Sequence, residues 1–496
     1  MLKFREVKTG SGKTAVQVYY IYNRKRVIVK HIGSAMTIEE LDKLKDQAQQ
    51  FIQDYSNQTS LFPSLKAGSY SYLELYECIG FYYRFYYDTI QQLITQIGFD
   101  ELTSKLLKDL VTIRVLEPAS KLRSIELIKT YFGIQHRRQN YYKETKKWIS
   151  LKDQILKKVN EFAQKEYNFD YSLLFYDVTT LYFETFEGDE LRKTGFSKDS
   201  KSQQPQVLIG LMVSKEGFPL DFDIFPGNTF EGHTILPVVK SFIRKNNVKS
   251  FTVVADAAMI SSDNINELRA EGIHYIVGAR LGNLPQSIFE KINTKMKPEE
   301  GKTIRVHTDK GYLICSFSNA RYKKDKYEME KQILKAKSII ESPSKNTKAK
   351  FVKAQNEELK INEELIQKTT KLLGIKGYYT DLKEQDLPNN KVIERYHELY
   401  KVEQAFRVAK SDLETRPIYH FKEDPIKLHI LICFIALVVS KQIEIKTNIS
   451  IKRFNTEIKK ITDAKILNKL TRKEVIVKGK LTKMAEDILF KLDLLH

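Results

Sequence analysis

Two aspartates stand in places where apolar strands give little reason for them. Asp177 lies inside LLFYDVTT, and Asp256 closes SFTVVADAAM. A carboxylate in such a strand is costly to bury unless something compensates it. Two of them at matched strand positions suit ligands of a divalent cation, and hard carboxylate oxygens fit Mg²⁺ or Mn²⁺. Two such ions about 4 Å apart can activate water or a 3′-hydroxyl and stabilise the leaving oxygen in phosphoryl transfer. A third acid is expected from a later helix. In ERYHELYKVEQAFRVAKSDLE, Tyr396, Glu403 and Lys410 recur at nearly two helical turns. One continuous helix would carry all three on a single face, with Leu399 and Arg407 beside it. A glutamate flanked by bases on one stripe could bind a metal while its neighbours hold phosphate. The same stripe also reads as a solvated helix face with charge pairs.

The elements that must position these residues can be read from patterning. From Tyr171 onward the order is β-β-β-α-β-α-β: YSLLFYDVTTLYFETF, then two strands in QVLIGLMVSKEGFPLDFDIFPG, the helix HTILPVVKSFIRK, the strand ending at Asp256, the helix SSDNINELRAEG, and the strand HYIVGAR. Ser262 or Asp263 would cap that second helix. One acid on the first strand and one ending the fourth is the RNase H-like arrangement, in which those strands are neighbours. The chain therefore reads as an α/β protein, an RNase H-like catalytic core interrupted by an α/β insertion, with mostly helical N- and C-terminal regions. The expected divisions are a β-hairpin and helix region at 1–60, a helical DNA-binding region at 65–165, core at 166–280, insertion at 281–390, core again at 391–441, and a helical tail at 442–496. SNQTSLFPS at 56–64 reads as a linker. The base and aromatic mixture at 129–148, KTYFGIQHRRQNYYKETKKW, reads either as a DNA contact or as a helical hairpin with a solvated face.

Bulk composition narrows the partners. The 496 residues carry 82 Lys and Arg against 62 Asp and Glu, a net charge of +20. That balance points to a polyanion, most often nucleic acid. Cys78, Cys315 and Cys433 are far apart and form no CxxC, which argues against a disulfide framework or a zinc site. The N-terminal residues show no apolar signal segment. The apolar run Leu428–Ser440 is shorter than the roughly 20 residues a bilayer needs, and reads as a buried helix. No membrane association is expected, and the expected location is the cytoplasm.

With these residues in view, the chain resembles the bacterial insertion-sequence DDE transposases that carry a YREK-type signature, the insertion-sequence-four group. Tyr396, Glu403 and Lys410 match the signature in register. Its arginine position holds Leu399, which leaves Arg395 and Arg407 as candidates for that phosphate contact. FYDVTTLYFE, GFSKDSKSQQPQVLIGL and FPGNTFEGHT are similar to one branch of the group, and VEQAFRVAKSDLETRPIYHF followed by LHILICFIAL is the most specific match. The likeness runs from about residue 170 to 440. The long interval between Asp256 and Glu403 resembles the insertion that the group places there.

The resemblance implies a catalytic and metal-binding triad of Asp177, Asp256 and Glu403. Asp177 would be shared by two Mg²⁺ or Mn²⁺ ions. DNA contacts are implied at Tyr396, Arg407 and Lys410. It implies cleavage at the inverted-repeat ends of a mobile element, joining of the 3′ ends to target DNA, and a homodimer on double-stranded DNA in the bacterial nucleoid. The rival readings are an RNase H-like nuclease that cuts without joining, and an inactive descendant that only binds DNA.

Other signals carry less. Gly10-Ser11-Gly12-Lys13-Thr14 resembles the end of a phosphate-binding loop, but Val7 stands where the first glycine belongs, so a hairpin turn is expected. His233, His420 and His429 lack zinc-ligand spacing and read as structural, with His420 a candidate DNA contact. Asn228 and Thr229 read either as a turn near the site or as a turn alone. The lysines at 323–372 and 441–483 read as a solvated face.

Overall fold

The computed structural model describes residues 2–22, 24–57, 75–100, 102, 104–169, 171–196, 203–248, 250–259, 261–342, 349–355 and 358–494. Most of the expected linker at 56–64, and residues 197–202 of the GFSKDSKSQQPQ segment, lie outside them. The chain divides into two compact units, Met1–Cys78 with Leu467–Glu474, and Ile79–Ile466 with Val475–His496.

In the first unit, β1 (Lys3–Lys8), β2 (Thr14–Tyr22) and β3 (Lys25–Ala35) form an antiparallel sheet in that order, followed by α1 (Ile38–Asn57). Val16 and Val18 of β2 bury one face against Ala48 and Phe51 of α1. The Gly-Ser-Gly-Lys segment is the β1–β2 turn. The Thr9 amide donates to the Lys13 carbonyl at 2.8 Å, and Gly12 has φ 77°, a conformation that favours glycine.

After β4 (Tyr76–Tyr82) come five helices: α2 (Arg84–Gln96), α3 (Lys105–Leu116), α4 (Lys121–Phe132), α5 (Arg138–Ser150) and α6 (Lys152–Tyr167). Then follow β5 (Leu173–Tyr182), β6 (Gln206–Ser214), β7 (Pro219–Pro226), α7 (Ile235–Asn246), β8 (Thr252–Ala255), α8 (Ser262–Ala270), β9 (His274–Ala279) and α9 (Gln286–Lys295). Next are β10 (Thr303–Thr308), β11 (Gly311–Phe317), α10 (Asn319–Glu341), β12 (Val352–Gln355), β13 (Glu358–Ile361), α11 (Glu363–Thr370) and β14 (Ile375–Thr380). The chain closes with α12 (Asn389–His397), α13 (Tyr400–Arg407), α14 (Glu423–Thr447), α15 (Ile451–Lys459), β15 (Asp463–Asn468), β16 (Glu474–Val477) and α16 (Lys483–Lys491).

The second unit is built on a mixed eight-stranded sheet in the order β10-β11-β14-β9-β8-β5-β6-β7. The first and fourth strands of the expected series, β5 and β8, are parallel neighbours with Tyr176 opposite Ala255. β8 and β9 are also parallel, and the other pairs are antiparallel. β6 is buried along its whole length, as its run QVLIGLMVS requires of a strand covered on both faces. The stretch expected as an insertion is joined to the core more closely than that word suggests, because β10, β11 and β14 continue the same sheet. Helices α2–α6 share one apolar cluster with the sheet.

Two expectations change. The α8 cap is Ser261, one residue earlier than expected, and its hydroxyl accepts from the Asn264 amide at 3.0 Å. The tail at 442–496 is not wholly helical, since β15 and β16 interrupt it. The apolar run at 428–440 belongs to α14, which at 25 residues is long and apolar enough to cross a membrane. Its apolar stretch is nevertheless 89% buried inside the protein. It packs against α3, α5 and β7, with Phe434 at 4.6 Å from Phe222 between ring centroids.

Candidate active site

β5 is rich in β-branched and aromatic residues, as a central strand should be. It is buried along its length except at Asp177 and its last residue, Tyr182. Asp177 follows Tyr176, and Asp256 follows Ala255, so the parallel register of β5 and β8 sets both carboxylates at the same level of the sheet, Asp177 midway along β5 and Asp256 just past the end of β8. Asp177 is half-buried and Asp256 is exposed. Their position at an opening, rather than inside the core, is what makes two acids tolerable here.

Glu403 comes from α13. Asp177, Asp256, Lys376, Tyr396, His397, Leu399, Tyr400 and Glu403 line one cavity of about 350 Å³. The Tyr396 hydroxyl donates to Asp256 Oδ1 at 3.3 Å, and the Ala257 amide donates to the same oxygen at 2.7 Å. Gly278 leaves room for that phenol, since a Cβ there would stand 2.6 Å from its oxygen. Burial, followed by the charge of Asp256, pushes the Tyr396 phenol well above its ordinary value. It therefore stays a hydrogen-bond donor.

The expected single helix carrying Tyr396, Glu403 and Lys410 is broken. α12 ends at His397, α13 begins at Tyr400, and Leu399 is buried at the joint. The chain then winds as a π-turn over Val408–Asp412, with the Leu413 amide bonded to the Val408 carbonyl at 2.9 Å. A π-turn changes the angular step per residue, so heptad spacing does not hold to Lys410. Tyr396 and Glu403 reach the carboxylate cavity. Lys410 instead lines a small apolar cavity with Thr179, Phe406 and Cys433. Arg407 is exposed on α13 and does not line the carboxylate cavity.

Besides Tyr400 at the rim, two cavity residues were not anticipated. Lys376 on β14 sits among the acids, with its Nζ 4.7 Å from the Tyr396 ring centroid. Burial and Arg321 lower its pKa, while Asp256 and Glu403 oppose that. His397 accepts or donates across 3.3 Å to the Tyr378 hydroxyl. Burial and the nearby Lys376 lower its pKa. Neither residue had a periodicity or motif to mark it. The only trace was a lysine in the short apolar strand GIKGYYT.

The three carboxylates do not converge on one point, and among the described residues no three His, Cys, Asp or Glu side chains form a ready metal cage. Their chemistry still fits a hard divalent cation. The donors are all carboxylate oxygens, they open on a common cavity, and a lysine ammonium already stands among them as a positive charge. A larger cavity of about 690 Å³ shares Asp256, Lys376 and Tyr396 with the first, and is lined further by Arg321, Lys350 and Lys368.

Residues 168–439, more than half of the chain, match the family model described as a transposase DDE domain. The chain belongs to this transposase family, a phosphoryl-transfer family that carries out DNA transposition and generally uses divalent metals. No curated protein matches it. Among solved structures it is similar to the piggyBac transposase in a synaptic complex with hairpin DNA. The identity is 11%, over 76% of this chain and 70% of that one, with a TM-score of 0.37.

Proposed function

We propose that this protein is a bacterial insertion-sequence transposase of the YREK-type, insertion-sequence-four group. It would cut at the inverted-repeat ends of its element and join the freed 3′ ends to target DNA. The observation that carries this reading is the meeting of Asp177, Asp256 and Glu403 at one cavity, two of them delivered by adjacent parallel strands. The β5-β6-β7-α7-β8-α8-β9 order, with β8 beside β5, supports an RNase H-like core.

Asp177, Asp256 and Glu403 would hold Mg²⁺ or Mn²⁺, two ions in all. When bound, these supply Lewis-acid polarisation of the phosphate and of the attacking oxygen. The chain's own groups do the rest. Tyr396 fixes the rotamer of Asp256 through its hydrogen bond. Lys376 offsets the mutual repulsion of the acids and faces the phosphate to be cut as a point charge. Arg321, Lys350 and Lys368 line the adjoining cavity along which a DNA backbone would run. Tyr400, half exposed at the cavity rim, offers a face for an unpaired base. Arg407 and Lys410 would hold backbone phosphate outside the cavity. The protein would act as a homodimer on DNA in the cytoplasm.

The test incubates a plasmid bearing the gene's native flanking DNA with purified protein and Mg²⁺ or Mn²⁺, using Asp177→Ala as control, and maps the 3′ ends by sequencing. Cuts at fixed inverted-repeat ends joined to new DNA, absent from the variant, are expected. Cuts without joining would replace the reading with a nuclease. Tight binding with no cutting would replace it with a DNA-binding descendant.

A further inference from the structure

A second cavity of about 100 Å³ lies apart from the carboxylates, lined by Arg114, Ser120, Lys121, Tyr419, His420 and His429 among others. It gathers two buried cations; the one acid in its lining, Glu414, is exposed and meets Arg114 through its backbone carbonyl. Lys121 is 6% exposed and Arg114 3% exposed. Among the described residues no carboxylate lies within ion-pair distance of either. A buried charge is ordinarily paired, so two unpaired cations side by side call for an explanation.

The hydrogen bonds define the cluster's state. His429 Nε2 lies 2.9 Å from the Thr415 carbonyl, which can only accept, so Nε2 carries the proton. Its Nδ1 then offers a lone pair to Lys121 Nζ at 3.2 Å. That uses one of the three hydrogens of an ammonium. Arg114 pins the loop beyond the π-turn, donating to the carbonyls of Ala119 at 2.7 Å, Leu413 at 3.4 Å and Glu414 at 3.5 Å. Those contacts orient the guanidinium without cancelling its charge. Lys121 is the first residue of α4, whose N-terminus adds partial positive charge. Burial and Arg114 drive the Lys121 pKa down in the empty cluster, and an anion would remove that penalty.

We propose that this cavity is an oxyanion site that takes one phosphate group, with Lys121 as its buried cation, Arg114 as its fixed neighbour and Tyr419 at its mouth. The volume holds several water-sized molecules, room for one tetrahedral oxyanion. The phosphate could belong to a DNA backbone or to a small phosphate-bearing molecule. Both share the chemistry that the cluster recognises, and the cavity does not share a lining residue with the carboxylate cavity.

The full-length protein, without metal, is titrated with inorganic phosphate and followed by calorimetry. In parallel, its affinity for a random-sequence duplex is measured against salt. Lys121→Met and Tyr419→Glu are compared with wild type. Tyr419 is 65% exposed, so its variant folds even where Lys121→Met does not. One saturable phosphate per chain is expected, weakened about tenfold or more in both variants. A salt slope reduced by about one in the variants would assign the phosphate to DNA. An unchanged slope with lost phosphate binding would assign it to a small ligand. Equal phosphate binding in wild type and variants, or no saturable binding with unchanged slopes, overturns the proposal. Neither titration involves cleavage, so its failure is distinct from a failure of the transposase reading.

Discussion

The carboxylate cavity and the cationic cavity both gather like charges, and they do so by opposite means. The first sets its acids midway along β5, just past the end of β8 and on α13, where solvent carries part of their charge, and places one lysine among them. The second buries Lys121 and Arg114 behind α4 and the 414–420 loop, with neutral histidines as neighbours. In the first, folding costs little and the repulsion waits for a cation. In the second, desolvation is carried by the fold itself. An open cluster should therefore affect chemistry strongly and stability weakly, and a closed cluster the reverse.

The sharpest test of that contrast is charge removal in the open cluster. Asp177→Asn should lower metal-dependent DNA cleavage by about 10³-fold or more, while the melting temperature without metal does not fall. A clear drop in melting temperature would mean that Asp177 serves the fold, and the contrast would fail. Lys376→Met comes next. Cleavage should fall by about 10²-fold, as when one preorganised electrostatic group is lost from a reacting site. The half-saturating Mg²⁺ concentration should fall as well, because a competing cation has left the acids. A metal titration in which neither quantity moves would reduce Lys376 to a packing residue.

A smaller effect tests how the open cluster is held. Gly278→Ala should crowd the Tyr396 hydroxyl, destabilise the protein by about 1–3 kcal/mol, and slow cleavage about tenfold through misplacement of Asp256. Tyr396→Phe removes both the hydroxyl that donates to Asp256 and the clash. In the double variant, thermal melts should show most of the lost stability restored while cleavage remains slow. Additive losses in the melt would show that the crowding lies elsewhere, at Ala257.

How much of this was legible in the sequence follows from the range of the forces involved. Asp177 and Asp256 stood out because a charged residue breaks an apolar strand run, and strand order then made them neighbours. Glu403 was legible through the resemblance to the YREK-type signature, since its spacing with Tyr396 alone fitted a solvated helix face as well. Lys410 was not correctly placed by that spacing, because it assumes one unbroken helix, and the joint at Leu399 and the π-turn at 408–412 depend on packing against the sheet. Lys376 was invisible for a related reason. It reaches the acids only because β14 lies beside β9 in the sheet, a long-range pairing that no local pattern encodes. The cationic cavity joins residues some 300 positions apart, as the Lys121–His429 contact shows. His420 and His429 were noticed, but with no partner in view they read as structural histidines, with His420 also a candidate DNA contact.

The closed cluster has its own signature, in pH rather than in rate. Burial, with Lys121 and Arg114 adding to it, holds the His420 pKa down to about 4 and the His429 pKa well below its ordinary value. In the unfolded chain both return to about 6.5. As pH falls through that value, the unfolded chain takes up protons that the folded chain refuses, so stability declines. For His420 the decline continues down to about 4. The groups facing these rings are Lys121, Arg114, Tyr141, Cys433, Tyr419 and Glu414, and the Glu414 carboxylate, on an exposed residue, makes no ion pair with either ring that would reverse the sign. Calorimetric melts should therefore show a melting temperature lower by about 2–4 °C at pH 5.5 than at pH 7.5 from these two rings. His420→Gln should make the dependence shallower. Inorganic phosphate should raise the melting temperature more at pH 5.5 than at pH 7.5, because an oxyanion in the cavity favours the protonated cluster. A wild-type slope retained in His420→Gln would place the acid sensitivity elsewhere and remove the energetic basis for treating the two cavities as opposites.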